Sequence, residues 1–229
     1  QYELYLHYYV LGCRLAGFPY AYHTIGSCFA LTVDAYVKNG GMNRKHAGED
    51  FYFLHKMFPN SVVKRNYDTI IRPAARLSDR VPFGTGPALR EIVKEQEAYT
   101  VYNPEVFNDI KRLFDSFPLL YKDLSIEESD FSEVLLEFLT KINFEDKVSE
   151  AKNNSSNELK FQKRLYRHFD AFQIVKFLNF AHEMGYYKKV PVMDACEEMF
   201  DTQSDSENLM EGLKQIKRLE RITNLRQLR

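Results

Sequence analysis

From residue 89 to the end of the chain, apolar side chains recur three and four residues apart and nothing alternates. That spacing lines one face of a 3.6-residue helix and suits neither face of a strand, so this stretch must fold by packing helices on one another. Helices are expected over 89–98, 104–114, 127–142, 159–184, 191–200 and 207–228. The longest would bury Leu165, Phe169, Phe172, Val175 and Leu178. The last would bury Leu209, Leu213, Ile216, Leu219, Ile222 and Leu225. Residues 149–157 are polar and read as a linker. No repeat with the period of helical arrays is present.

The earlier residues follow other rules. Residues 2–16 read as a helix with Leu4, Tyr8, Leu11 and Leu15 on one face, ended by Gly17 and Pro19. Residues 21–31 read as a strand or an extended loop. Thr32 and Asp34 stand where a cap belongs, before a short helix at 35–38 that Asn39-Gly40-Gly41 closes. Gly48-Glu49-Asp50 opens a helix to about Phe58, its acidic first turn suited to the helix dipole. The β-branched runs at 61–65 and 69–72 predict two short strands, and residues 73–87 a long loop. The expected fold class is α+β and helix-rich: a mixed part with few strands at 1–96, then an all-α domain at 97–229.

With 229 residues, of which 45% are hydrophobic and 28% charged, the chain can bury a sizeable core. The net charge of −1 gives no argument for nucleic acid as a partner. Residues 1–96 hold 12 Lys and Arg against 8 Asp and Glu, a balance suited to a phosphate-bearing substrate and equally to ordinary surface scatter. Cys13, Cys28 and Cys196 have no metal-ligand spacing and read as reduced thiols, which with the lack of an apolar membrane-length run points to the cytoplasm. The opening at Gln1 reads as a cut inside a longer protein.

One ordered set carries chemistry. His23-Thr24-Ile25-Gly26-Ser27 is followed by Ala35-Tyr36, then Gly40-Gly41-Met42, then Ala47-Gly48-Glu49-Asp50-Phe51. A carboxylate at a helix start is held by backbone N–H groups that favour its charged form, as a general base needs. The same pair also reads simply as a helix cap. A second stretch, the loop at 73–87, brings Arg76 and Arg80 near Gly84-Thr85-Gly86. Arginine matches phosphate oxygens in a bidentate way, and a solvated surface loop is the plainer alternative. Gly-Thr-Gly lacks the Lys-Ser/Thr of a phosphate-binding P-loop.

Over roughly residues 1–90 this ordered set resembles the second, acceptor-side half of the GT-A fold in family 2 glycosyltransferases. The resemblance implies an inverting transfer of sugar from a nucleotide-sugar donor to a glycan or lipid-linked acceptor, in surface polysaccharide or glycoconjugate synthesis. It makes Asp50 the catalytic base and Glu49 its neighbour, with Gly48 letting the backbone approach the sugar. Ser27, His23 and His46 would face the substrate, and Arg76 and Arg80 the donor diphosphate.

The chain departs from that pattern in one respect. Such enzymes hold Mn or Mg on the diphosphate through an Asp-x-Asp motif in an N-terminal half, and this sequence has no Asp-x-Asp. The metal is therefore expected through a missing half, and this chain alone is expected to be inactive. Its mixed part should expose an apolar edge or face, covered by self-association into a homo-oligomer.

The last helix is basic, with Lys214, Lys217, Arg218, Arg221, Arg226 and Arg229. It can lie peripherally on the inner face of a membrane or be the solvated side of a packed helix. His168 and His182, fourteen residues apart, are too distant to share a metal. The rival to the whole reading is a non-enzymatic helical interaction module. A phosphate-ester enzyme built on the Arg loop lacks any nucleophile arrangement.

Overall fold

The computed structural model describes residues 1–44, 47–66, 68–72, 77, 84–95, 98–122, 125–126, 129–200 and 209–227, without the side chains of 95 and 223–227. Its elements in order are α1 (Tyr2–Leu15), α2 (Val33–Lys38), α3 (Glu49–Met57), α4 (Thr85–Glu95), β1 (Thr100–Val101), α5 (Val106–Tyr121), α6 (Glu133–Lys141), α7 (Phe144–Asn153), α8 (Glu158–His168), α9 (Ala171–Glu183), β2 (Val190–Pro191), α10 (Val192–Phe200) and α11 (Leu209–Gln227). A 3-10 turn, Phe58–Asn60, follows α3. The protein is helix-rich. Among the described residues its one ladder is an antiparallel pair, with Thr100 opposite Pro191 and Val101 opposite Val190.

The two runs read as strands, 61–65 and 69–72, have no strand among their described residues. β-branched residues fit a pleated surface, but only a ladder partner makes a strand, and neither run finds one among the described residues. The strands that do form lie outside 1–96 and hold two residues each.

The chain divides into two compact units. One comprises residues 3–21 and 100–229; the other comprises 22–99. Helix α1 thus belongs with the helices that follow residue 100. Its buried residues include Leu4, Tyr8 and Leu11, but also Val10, Gly12, Cys13 and Arg14, while Leu15 is exposed. Tyr8 meets Phe107 of α5 edge-on, ring centroids 5.8 Å apart, and its hydroxyl donates to the Tyr102 carbonyl at 2.7 Å. Gly12 is what lets α1 and α5 approach: a Cβ there would stand 2.7–2.9 Å from the Phe107 ring. The helix ends as Gly17 turns to φ 89°, with the Phe18 N–H donating to Cys13 O and the Gly17 N–H to Arg14 O.

The helical unit has an aromatic centre. Phe114 and Phe117 of α5 meet Tyr166 of α8, with centroids 5.1 and 5.0 Å away, while Phe138, Phe144 and Phe169 close around them. Helix α5 runs on to Tyr121, past Pro118, because Phe117 and Leu120 beyond the expected end are fully buried. The expected linker at 149–157 is the end of α7 and the start of α8: Val148 and Ala151 are buried, and Asn157 caps α8 through Lys160 N. The single helix expected over 159–184 is two, because the Asp170 carboxylate accepts from the N–H groups of Phe172 and Gln173 and starts α9 anew.

Helix α11 turns a different row inward from the one its leucines suggest. Gly212, Ile216 and Glu220 are buried, four residues apart, and Ile222 is exposed. Glu220 is there to meet charge. Arg14 Nη2 lies 3.5 Å from its Oε1, and His7 Nδ1 is hydrogen-bonded to Oε2. Arg14 also donates to Ala21 O from Nε and Nη2, at 3.2 and 3.0 Å.

Candidate functional site

The unit of residues 22–99 holds the predicted motif. Its framework is helix α2, the glycine turn behind it and helix α3. Thr32 caps α2, accepting from Ala35 N at 3.2 Å. Beyond the helix, Gly40 and Gly41 take φ of 72° and 67°, conformations glycine adopts without strain. The Tyr36 ring lies across Gly41, whose Cβ would stand 3.0 Å from the ring, and its hydroxyl accepts from Met42 N at 3.1 Å. Tyr36 also meets Phe53 of α3, centroids 5.4 Å apart. Buried Asn39 donates to Ala35 O at 2.8 Å. These contacts fix the glycine turn beside α3.

Helix α3 begins at Gly48, whose φ of 73° turns the chain into the first turn and whose carbonyl accepts from Tyr52 N at 3.0 Å. Glu49 and Asp50 follow, both partly exposed. Asp50 Oδ1 accepts from Phe51 N at 2.7 Å, satisfying one of the N–H groups a helix start leaves without an internal partner. The other oxygen, Oδ2, lies directly over Gly26. Gly26 and Ser27 are the middle of a turn closed by Cys28 N donating to Ile25 O at 2.9 Å. The fold therefore brings the first part of the motif, Gly26-Ser27, onto its last part, Glu49-Asp50. Ser27 is exposed, its hydroxyl 3.5 Å from Cys28 Sγ. His23 sits half-buried three residues before Gly26. His46, Arg76 and Arg80 lie outside the described residues.

Capping and base chemistry do not compete for the same atom here. Oδ1 is committed to Phe51 N, and Oδ2 is the oxygen on the exposed turn's side. The sequence did not mark the row behind Asp50. Phe51 and His55 meet with centroids 4.4 Å apart, and His55 meets Phe58 at 5.5 Å. Burial among these rings pushes the His55 pKa down to about 4, so the imidazole is neutral at pH 7. The i, i+4 and i+3 spacing of Phe51, His55 and Phe58 was the available signal.

Within this unit, no three potential metal-ligating side chains converge among the described residues. Glu49 and Asp50 by themselves do not make a divalent-metal site.

Among its described residues the helical unit has a groove of about 330 Å³, lined in part by Leu15, Ala16, Pro104, Phe107, Asn108 and Glu198. None of the predicted site residues lines it. His168 bonds Glu150 at 2.7 Å, and His182 is held between Leu178 O and Asn103 N, both structural uses. No helix among the described residues is long and apolar enough to cross a membrane.

Comparisons of the chain with protein-family models, with curated proteins and with solved structures find no match.

Proposed function

We propose that residues 22–99 are the acceptor-side part of an inverting glycosyltransferase of the GT-A type, with Asp50 as its general base. The observation that carries the reading is the seating of Asp50. Its carboxylate is held at the start of α3 by Phe51 N and set against the Gly26-Ser27 turn, so the two ends of the motif meet at one carboxylate.

The chemistry follows from that seat. An acceptor hydroxyl attacks the anomeric carbon of the donor sugar from the side opposite the leaving group. Its proton passes to Asp50, and the bond to the nucleoside diphosphate breaks with its electron pair leaving on the phosphate oxygen. Glu49 orients the acceptor beside Asp50, and Gly48 leaves the backbone open to the sugar. Ser27, His23 and His46 contact the substrate, and Arg76 and Arg80 the diphosphate. No step runs through a metal held by this chain: Mn or Mg belongs with an Asp-x-Asp half that this sequence lacks, and the chain alone is inactive.

Surface composition supports membership in a larger domain. Helix α2 buries none of its residues, and Val33 and Val37 on it are 78% and 67% exposed. Val62 and Ile70 are 88% and 75% exposed. β-branched residues so placed are suited to burial against further structure, whether another part of the same protein or a second copy. The working place is the cytoplasm, at the inner face of a membrane where the acceptor is lipid-linked.

The test is sugar-nucleotide turnover by the protein of which this reading makes the chain a part. UDP-glucose, UDP-galactose, UDP-N-acetylglucosamine and GDP-mannose are offered with Mn and a lipid extract as acceptor. Asp50→Asn should lower turnover about 10²–10⁴-fold, the usual worth of a positioned base, with donor binding unchanged. Unchanged turnover would reduce Asp50 to a helix cap. No donor binding at all would favour a helical interaction module.

A further inference from the structure

Gly26 is a glycine with no backbone reason to be one. It is absent from the residues with positive φ, so its place in the Ile25–Cys28 turn is open to alanine as far as the main chain is concerned. The turn is exposed, so core packing makes no demand either. What is lacking is space in one direction. A Cβ on Gly26 would overlap Asp50 Oδ2 and stand 3.1 Å from Asp50 Cγ and 3.2 Å from Asp50 Cβ. All three nearest atoms belong to that one side chain. Carbon atoms rest at about 3.5–4.0 Å, so the whole Asp50 side chain, and not its tip alone, would have to give way.

We propose that Gly26 is a positioning residue for Asp50: the absence of a side chain at 26 is the space that sets the orientation of the carboxylate. The proposal rests on the reading of Asp50 as the base, while its geometry stands without it. With Gly26 in place, the Asp50 side chain packs against the turn and Oδ1 accepts from Phe51 N. Any side chain at 26 either turns Asp50 about its first torsion, taking Oδ1 off that N–H, or lifts the turn from α3. Both displace the carboxylate by about 1 Å or more, a misplacement worth about 10²-fold in rate when the group must meet a reacting proton. The donor, bound elsewhere in this reading, would not be affected.

The experiment has a structural arm that needs no turnover. In the 229-residue chain, wild type, Gly26→Ala, Asp50→Ala and the double variant are compared by the Phe51 amide resonance and by thermal melting. Gly26→Ala should move the Phe51 amide as Asp50→Ala does, and should add little in the Asp50→Ala background. If Gly26→Ala fails to fold while the double variant folds, the proposal stands. A Phe51 amide unmoved by Gly26→Ala, or equal damage in both backgrounds, overturns it. The kinetic arm uses the longer protein: Gly26→Ala should cut kcat about 10²-fold with the donor KM within about twofold. Unchanged kcat overturns the positioning role. If wild type shows no turnover, the enzymatic reading fails, and the structural arm still decides whether Gly26 seats Asp50.

Discussion

His55 shows how one side chain can tie the stability of residues 22–99 to pH. The folded imidazole, among Phe51 and Phe58, takes up its proton only near pH 4. In an unfolded chain the same group titrates near 6.5. Between those values the unfolded state binds more protons, so stability rises with pH: it is fully present above about 6.5 and is lost as pH falls toward 4. In the helical unit His182 is shifted down as well, chiefly by burial, and makes that unit's stability rise with pH in the same sense. The informative quantity is therefore a difference. The melting temperatures of wild type and His55→Gln should differ by a constant above pH 7, and wild type should lose more than the variant between pH 6.5 and 4.5. Parallel curves throughout would show that His55 titrates normally in the fold.

At the scale of elements, the break between α8 and α9 belongs to a single side chain. Asp170 accepts from Phe172 N and Gln173 N at 3.0 and 3.1 Å. Asp170→Ala should destabilise the helical unit by about 1 kcal/mol, seen as a lower urea midpoint at unchanged slope. The apolar row at Leu165, Phe169, Phe172, Val175 and Leu178 runs through this break without a gap, which is why the sequence read as one helix. The break resets that row: Leu165 and Phe169 are buried, but α9 turns Ala171, Ile174, Phe177 and Leu178 inward and leaves Phe172 and Val175 partly exposed, so the periodicity marked helix without marking where one helix ends and the next begins. The cap at Thr32 was of the kind a sequence displays, since the hydroxyl sits directly before the helix it starts, whereas the helix expected from 127 starts at Glu133, after the cap Ser132. The strands failed for the opposite reason, because a strand is defined by a partner. Valine at 62 and 63 or isoleucine at 70 and 71 cannot announce that no partner stands beside them among the described residues. In the candidate site, Gly48, Glu49 and Asp50 were legible as a helix start. The contact between Gly26 and Asp50, twenty-four residues apart, was not, because it depends on how the chain returns.

At the scale of the whole molecule, the buried group of Arg14, His7 and Glu220 joins residues more than 200 positions apart in the chain. Arg14 and Glu220 are 6% and 4% exposed, so their charges balance largely out of water. Removing one partner leaves the other's desolvation unrewarded. Glu220→Ala should cost the helical unit about 3–5 kcal/mol in chemical denaturation. The exposed pair of Lys217 and Glu3 joins the same two helices at 2.6 Å, yet Glu3→Gln should cost under about 1 kcal/mol, because water already solvates those charges. Equal losses from the two substitutions would show that the cluster is hydrated in solution. The carbonyl of Glu220 also receives Arg14 from 206 positions earlier in the chain. On the ribosome this separation becomes an interval of time. Residues 22–99 can close on themselves while synthesis is still under way, but the first helix must wait with a cationic side chain and no carboxylate to bury it against. At ordinary elongation rates of about 5–20 residues per second, that wait is on the order of ten to forty seconds. In that time Leu4, Tyr8 and Leu11 are open to whatever nascent-chain binder reaches them first.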